Sequence, residues 1–554
     1  MMRIMIREEI REIIQEAVRR VQQEEKWPGF KIPEIQIEHP ENAGFGDYST
    51  NISMILAGLI KKNPMEIAKL LIKYLDLGVL LPIRRRTPKS SPKSKFKKIE
   101  IARPGFINFT LSKDYLQKQI KEILKQGDKF GQLKIGKNKK VQVEFISANP
   151  TGPLTVGNAR GGPFGDVLAN VLKMAGFRVE KAYYVNDYGM QILTLGHSVL
   201  KDKEAKYKGA YIDELSKRIK EKDPEKAGQK AAKIILKEMI QKTTVRLGIK
   251  FDEWFSEQTL YDSGQVEKAL ITLKKKNLIY EKEGALWFKS SKFGDEKDRV
   301  VVKANDFKTY LAGDIAHHLY KFEKKKFDKV INIWGADHYG DMKRLKGAME
   351  SFGHKDKLKI IFLQFVSLLE KGEGIKMSKR AGVYVTMDEL LDKVGIDAVR
   401  FFFLQKSPDT HLNFDLSLAK EQSEKNPVYY VQYAHARICS ILRKIPNQKS
   451  QIPNKFQIPN SKFKNLTNHF ELNLIRQLIR FPEIIEDIIK DYQVQRLPYY
   501  ALDLAAAFHK FYKDCRVLSE DKLLTQARLA LVKATQIVLK NTLEIMGIRA
   551  PSKM

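Results

Sequence analysis

The chain has 554 residues, 43% of them hydrophobic, and its 99 Lys+Arg against 66 Asp+Glu give a formal net charge of +33. A chain of this length suggests about three to four domains with apolar cores, and a basic excess spread along it points to an extended polyanion such as nucleic acid. Two distant cysteines, Cys439 and Cys515, form no metal-ligand cluster and fit a reducing, cytoplasmic setting, and no apolar run suits a signal peptide or a membrane span.

In chain order, Ile6, Ile10, Ile13, Ile14, Ala17, Val18 and Val21 form one stripe, which predicts an amphipathic helix. A Gly-rich turn follows at Ala43–Asn51, then a helix after Asn63-Pro64 and a strand pair within Lys97–Leu111. These make an α+β unit over roughly 1–135. Its Pro/Ser/Lys tract at about 82–98 reads as a disordered basic insert.

The region of about 136–395 is α/β, with strands predicted at Val141–Ile146, Arg178–Val185, Lys329–Gly335 and Lys359–Val366. Helical segments between them make a parallel sheet the economical arrangement, and a charged helical insertion occupies about 196–250. From about 396 the pattern is helical to the end, broken by a low-complexity insert at about 444–465, where IPN recurs three times.

Two stretches carry the chemistry. Alternating Val141, Val143 and Phe145 lead into ANPTGPLTVGNARGGPFGD (Ala148–Asp166), and Val167, Leu168, Val171 and Leu172 then recur at helical spacing. A strand thus leaves the sheet, turns through Pro and Gly and enters a helix, without the spacing of a P-loop or a dinucleotide fingerprint. The second stretch is GEGIKMSKRAG (Gly372–Gly382), where Lys376 and Lys379 offer two ammonium groups suited to charge developing on a leaving pyrophosphate.

Together these stretches resemble the signature elements of class I aminoacyl-tRNA synthetases, and specifically of the arginyl-tRNA synthetase family. YYVND (Tyr183–Asp187), FGDEKDR (Phe293–Arg299), TYLAGDIAHH (Thr309–His318), GADHYG (Gly335–Gly340), NPVYYVQYAHARICS (Asn426–Ser440), FHKFYKDCRVL (Phe508–Leu518) and the final IMGIRAPSKM are similar to its blocks, in order. The resemblance implies a Rossmann-type catalytic core (α/β), an α+β N-terminal tRNA-binding domain and an all-α C-terminal anticodon-binding bundle. The implied activity is ATP-dependent formation of arginyl-adenylate and transfer to the 3′ end of tRNA(Arg), with Mg²⁺, in a cytoplasmic, usually monomeric enzyme that needs bound tRNA for activation.

The resemblance also assigns residues. Pro150, Gly152, Pro153, Gly157, Asn158, His338, Met377 and Ser378 would meet ATP, with Gly157 leaving room for adenine against the backbone. Lys376, Lys379, Thr155 and Asn158 would be catalytic, and no protein-held metal site is implied. Thr155 and Asn158 stand where the family usually has histidines; both can still donate to phosphate oxygens, as in the similar TxGN form of tryptophanyl enzymes. The departure motivates an alternative reading, a catalytically impaired tRNA-binding paralogue of the same fold.

Glu144, Asn149, Tyr310 and Asp314 are assigned to substrate arginine, which agrees with the bidentate carboxylate recognition that a guanidinium needs. Tyr430, Tyr433 and Arg437 share one helical face at i, i+3 and i+7, a surface of rings and guanidinium fit for unstacked bases. The resemblance gives these three and Met554 to the anticodon loop, and Phe106 and Asn108 to the D-loop of the tRNA.

Overall fold

The computed structural model describes residues 5–76, 95–374, 385–444 and 460–554. The amphipathic stripe forms helix Ile6–Glu24, with Ile6, Ile10, Ile14, Ala17, Val18 and Val21 buried. It packs with helices Ile52–Ile60 and Pro64–Asp76 beside a three-stranded antiparallel sheet. In that sheet Phe106–Leu111 runs between Tyr48–Thr50 and Phe96–Ala102. Most of the predicted 82–98 insert lies outside the described residues, but its end does not fray as expected. The sheet begins at Phe96, whose ring meets Phe109 at 5.3 Å. Phe96, Ile99 and Ile101, opposite Leu111, Phe109 and Ile107 across a register shift after Phe96, therefore override the neighbouring lysines.

Five parallel strands form the central sheet, in the order Leu358–Leu363, Lys329–Gly335, Lys140–Glu144, Arg178–Val185, Glu253–Ser256. The chain starts at Lys140–Glu144 and builds outward on one side, then returns to build on the other. The switch point lies between Lys140–Glu144 and Lys329–Gly335, where Glu144 and Asn332 are register partners. Crevices outside the carboxyl ends of strands at such a point are where α/β sheets bind ligands.

Two expectations for this unit are corrected. Lys359–Val366 is not one strand: Leu358–Leu363 ends in the parallel sheet, and Val366–Glu370 begins a separate sheet with Glu373–Gly374 and Leu412–Asp415. The physical cause is Arg160, 2% exposed, whose guanidinium donates to the carbonyls of Gln364 and Phe365 and, at 3.2 and 2.8 Å, to those of Ser407 and Thr410. The region after 396 is not wholly helical either, because strand Leu412–Asp415 pairs with Val366–Glu370. Helix Met387–Leu404 is broken at Gly395, where φ of +78° is a conformation glycine adopts freely.

The inserted helices begin at Met190, earlier than expected. Met190–Leu200 and Pro224–Ile234 cross so closely that a Cβ on Gly196 would lie 1.7 Å from the Pro224 carbonyl oxygen, and one on Gly228 2.0 Å from that of Ile192. The C-terminal bundle comprises helices Pro427–Arg443, His469–Ile479, Phe481–Asp491, Arg496–Asp514 and Lys522–Ile545. Of the 444–465 insert, residues 445–459 lie outside the described residues. Asn460–Asn465 is a short 3-10 helix whose Phe463, 1% exposed, joins the core, so that end is packed against the expectation.

Charge joins the first unit to the bundle. Glu483, 1% exposed, accepts from Tyr48 Oη at 2.9 Å, meets His39 Nε2 at 2.7 Å and pairs with Arg7 at 3.3 Å. Among the described residues no helix is long and apolar enough to cross a membrane.

Candidate active site and RNA-facing surface

Strand Lys140–Glu144 gives way to the signature turn through two residues in left-handed backbone, Ile146 at φ +67° and Ser147 at +43°. Such values are rare for non-glycine residues and rarer for β-branched ones. Neighbouring elements hold the turn there. Tyr183 donates to the Ala148 carbonyl at 2.8 Å, Tyr211 of the insertion to that of Thr151 at 2.9 Å, and Asn186 to Asn149 Oδ1 at 3.0 Å.

Thr155 caps the next short helix, Val156–Ala159, by accepting from the Asn158 backbone N–H, and its hydroxyl donates to Asn158 Oδ1 at 2.6 Å. The two departures from the resembled pattern are thus bonded to each other. Pro150 is buried, Gly152 and Pro153 are half-buried and Gly157 is exposed. A Cβ on Gly157 would meet nothing nearer than Thr155 Oγ1 at 4.0 Å, so the space above it is open.

Lys376, Met377, Ser378 and Lys379 lie outside the described residues. The segment after them is fixed to the turn: Met387 N–H donates to the Leu154 carbonyl at 2.8 Å, Val156 N–H to that of Val385 at 3.2 Å, and Thr155 bridges Thr386. His338 follows strand Lys329–Gly335 on the exposed surface, 3.5 Å from Asp341 and 3.7 Å from Asp337.

At the switch point the structure gathers acids. Glu144, 6% exposed, accepts from Lys321 Nζ at 2.7 Å, and His317 Nδ1 lies 3.9 Å from the same oxygen. Asp314 enters from helix Tyr310–Leu319. Burial, followed by the charges of Glu144 and Asp341, pushes its carboxyl up to about 7, with Lys321 opposing. Tyr310 heads the same helix and is exposed at the rim. Asn149 is placed by its bond to Asn186.

Glu257, 3% exposed, joins these groups from beyond strand Glu253–Ser256. Burial and then Asp314 push it up to about 8. Its Oε2 and the Tyr184 hydroxyl are both buried without a hydrogen-bond partner among the described residues. His317 stacks on Phe255 at 4.5 Å and meets the tilted Tyr184 ring at 4.6 Å, and burial holds it well below the usual histidine range. Among the described residues Glu144, Asp314 and Glu257 gather three carboxyl groups around the Lys321 ammonium, which favours an incoming cation.

On helix Pro427–Arg443, Tyr430, Tyr433 and Arg437 do share one face and are half-buried. The Arg437 guanidinium lies 4.9 Å from the Tyr433 ring centre and 5.2 Å from that of Tyr512, and His509 stacks near Tyr433 at 6.2 Å. Met554 is exposed beside a cleft lined by Gln432, Ile548 and Arg549. Phe106 is half-buried at the start of its strand. Asn108, on the same strand, is 2% exposed and accepts from Ser49 Oγ at 2.7 Å.

Three family models cover the chain: the arginyl tRNA synthetase N terminal domain matches residues 6–111, the class I (R) tRNA synthetase catalytic domain 119–223 and 201–415, and the DALR anticodon binding domain 431–554. The arginine–tRNA ligase of Carboxydothermus hydrogenoformans is 44% identical, with 94% of each chain covered; that of Acetivibrio thermocellus is 41% identical, with 99% covered. The chain belongs to the arginyl-tRNA synthetase family. The solved arginyl-tRNA synthetase of Thermus thermophilus shares its fold, at a TM-score of 0.77 and 22% identity over 99% of this chain and all of that one.

Within this arginyl-tRNA synthetase framework, sequence reasoning missed Glu257, Tyr184, Lys321 and Arg160. Tyr184 sat inside the quoted YYVND block. Glu257 and Lys321 had no local signal, because each is an ordinary charged residue until the sheet order brings it to the switch point.

Proposed function

We propose that this chain activates L-arginine with ATP and transfers the arginyl group to tRNA(Arg). The observation that carries the reading is the acidic pocket of Glu144, Asp314 and Glu257 at the switch point, next to the turn that supports the nucleotide reading. A guanidinium is planar and permanently charged, and carboxylates on two sides can take its N–H groups in pairs. Tyr310 would wall the mouth, and Asn149, held by Asn186, would meet the α-amino end.

In the first step an α-carboxylate oxygen of arginine attacks the α-phosphorus of ATP, and the bond to the bridging oxygen of pyrophosphate breaks. Magnesium bound to ATP would neutralise charge on its phosphates. Among the described residues no group of three or more His, Cys, Asp or Glu could hold a metal. Pro150, Gly152, Pro153 and Gly157 would shape the nucleotide side, His338 would approach the adenosine, and Thr155 and Asn158 would offer uncharged contacts to phosphate. Lys376 and Lys379, with Met377 and Ser378 between them, would face the leaving pyrophosphate. In the second step a terminal ribose hydroxyl of the tRNA attacks the adenylate carbonyl, AMP leaves, and the hydroxyl proton departs with it or to water. Positioning and electrostatics carry the rate, without a covalent enzyme intermediate.

The RNA would lie across Tyr430, Tyr433, Arg437 and Met554, with Phe106 on the N-terminal unit as a second contact. We read residues 1–135, 136–395 and 396–554 as its N-terminal, catalytic and anticodon-binding units, and the enzyme as a cytoplasmic monomer. ATP–pyrophosphate exchange with arginine, with and without tRNA, tests the activity. Exchange driven by lysine or glutamine instead would reassign the substrate, and tRNA binding without any exchange would leave the impaired paralogue.

A further inference from the structure

We propose that Lys321 is a positioning residue for arginine recognition: it grips one oxygen of Glu144 at the switch point and so turns the other toward the guanidinium. The inference rests on the arginine–tRNA ligase reading and extends it to a residue that would not touch substrate.

The geometry begins with register. Glu144 and Asn332 are partners on adjacent parallel strands, and Lys321, 0% exposed, reaches both. Its ammonium donates to Glu144 Oε2 at 2.7 Å and lies 3.5 Å from Asn332 Oδ1. A fully buried ammonium is costly unless paired and bonded, so this group is fixed by the two residues that define the crevice.

Helix geometry explains how it arrives there. Asp314, His317, His318 and Lys321 are spaced by three, four and seven residues, which places them along one helical face. The regular helix ends at Leu319, and Lys321 lies in the π-helical turn Tyr320–Lys324, a wider turn of the kind that recurs at functional sites.

A buried chain of bonds then ties Lys321 back to the backbone of the helix that carries the second acid. The Asn332 amide N–H donates to His318 Nε2 at 2.7 Å, so His318 Nδ1 carries the proton and donates to the Asp314 carbonyl at 2.7 Å. With its N–H spent on His318, Asn332 turns its oxygen to Lys321. The Asp314 main-chain carbonyl, His318, Asn332, Lys321 and Glu144 thus form one continuous polar array. No described group bonds Glu144 Oε1. A carboxylate anchored through one oxygen has its plane set, which is what recognition of a planar cation requires.

Exchange kinetics with tRNA present test the role. In Lys321→Met the KM for arginine should rise by about 30-fold or more, while the KM for ATP changes less than about threefold. In a Glu144→Gln background the same change should add less than about threefold, because a residue that acts through Glu144 has nothing left to orient. Equal losses for both substrates, or multiplying effects in the double variant, would overturn the role and leave a merely structural lysine. Should Lys321→Met alone fail to fold, the double variant, which removes both charges, is compared with Glu144→Gln. Matching arginine KM values support the inference, and a further tenfold loss or an unfolded double variant refutes it. Wild-type exchange with arginine in the same assay separates a failure of this role from a failure of the substrate assignment.

Discussion

Arg400 Nη2 donates to Asp166 Oδ2 at 2.6 Å, with both side chains closed off from solvent. Asp166 lies on helix Gly161–Met174 behind the signature turn, and its other oxygen accepts from Lys181. Arg400 also donates to the carbonyls of Met546 at 2.7 Å, at the end of the last helix, and of Leu247 at 2.8 Å, at the end of the insertion. One guanidinium therefore joins three units. Arg400→Met should cost about 3 kcal/mol, read as a lower first thermal transition, since buried acceptors lose their donor. Arg400→Lys should not rescue it, because a compact ammonium cannot span three separated acceptors. An unchanged transition in either variant would contradict this account.

Arginine affinity should depend on pH through the pocket acids. Burial raises Asp314 to about 7 and Glu257 to about 8, so the empty protein holds protons there that an unfolded chain, titrating near 4, would have released. The native state binds more protons between roughly pH 4 and 8, and stability of the empty protein falls as pH rises through that window. A bound guanidinium favours the ionised forms, so the sign for binding is opposite. The KM for arginine should rise about tenfold or more from pH 8.5 to 6.0 while that for ATP changes less, and Asp314→Asn should flatten the profile. A flat wild-type profile would remove these acids from substrate binding.

Much of this was legible in the sequence, and the failures have particular causes. Val141, Val143 and Phe145 announced their strand, and the spacing of Tyr430, Tyr433 and Arg437 announced their common face. The pocket was half legible: Glu144, Asn149, Tyr310 and Asp314 came by resemblance, whereas Glu257 and Lys321 needed the strand order, which no local pattern encodes. Hydropathy fused two strands across Gln364 and Phe365 because the break is imposed from Arg160, some two hundred positions earlier. The burial of Asn108 was not legible, because alternation sets it on the face opposite Ile107 and Phe109, yet it is buried with both.

The aromatic face should govern tRNA affinity alone. Arg437→Ala removes the guanidinium between Tyr433 and Tyr512, and should raise the KM for tRNA by about tenfold. Exchange at saturating tRNA should keep its arginine and ATP KM values. A matching loss in arginine KM would place the residue in a wider structural role.

The crossing of the inserted helices should reach the turn. Gly196→Ala forces Met190–Leu200 and Pro224–Ile234 apart at a backbone contact, an overpacking that costs about 1–3 kcal/mol. Helix Ala210–Arg218, between them in sequence, carries Tyr211 to the Thr151 carbonyl. The variant should therefore raise the KM for ATP several-fold as well as lower thermal stability. Tyr211→Phe should reproduce the KM change without the stability loss.

The left-handed pair Ile146 and Ser147 sets a limit on engineering. Each stores on the order of 1–2 kcal/mol that glycine would release. A thermostability screen would thus be drawn to Ser147→Gly, since Ile146→Gly would also strip a side chain packed against the core, and the change relaxes the bend orienting Asn149 and the following nucleotide-side residues. Robustness and turnover pull in opposite directions at this position, and a more heat-resistant variant found there should be a slower enzyme.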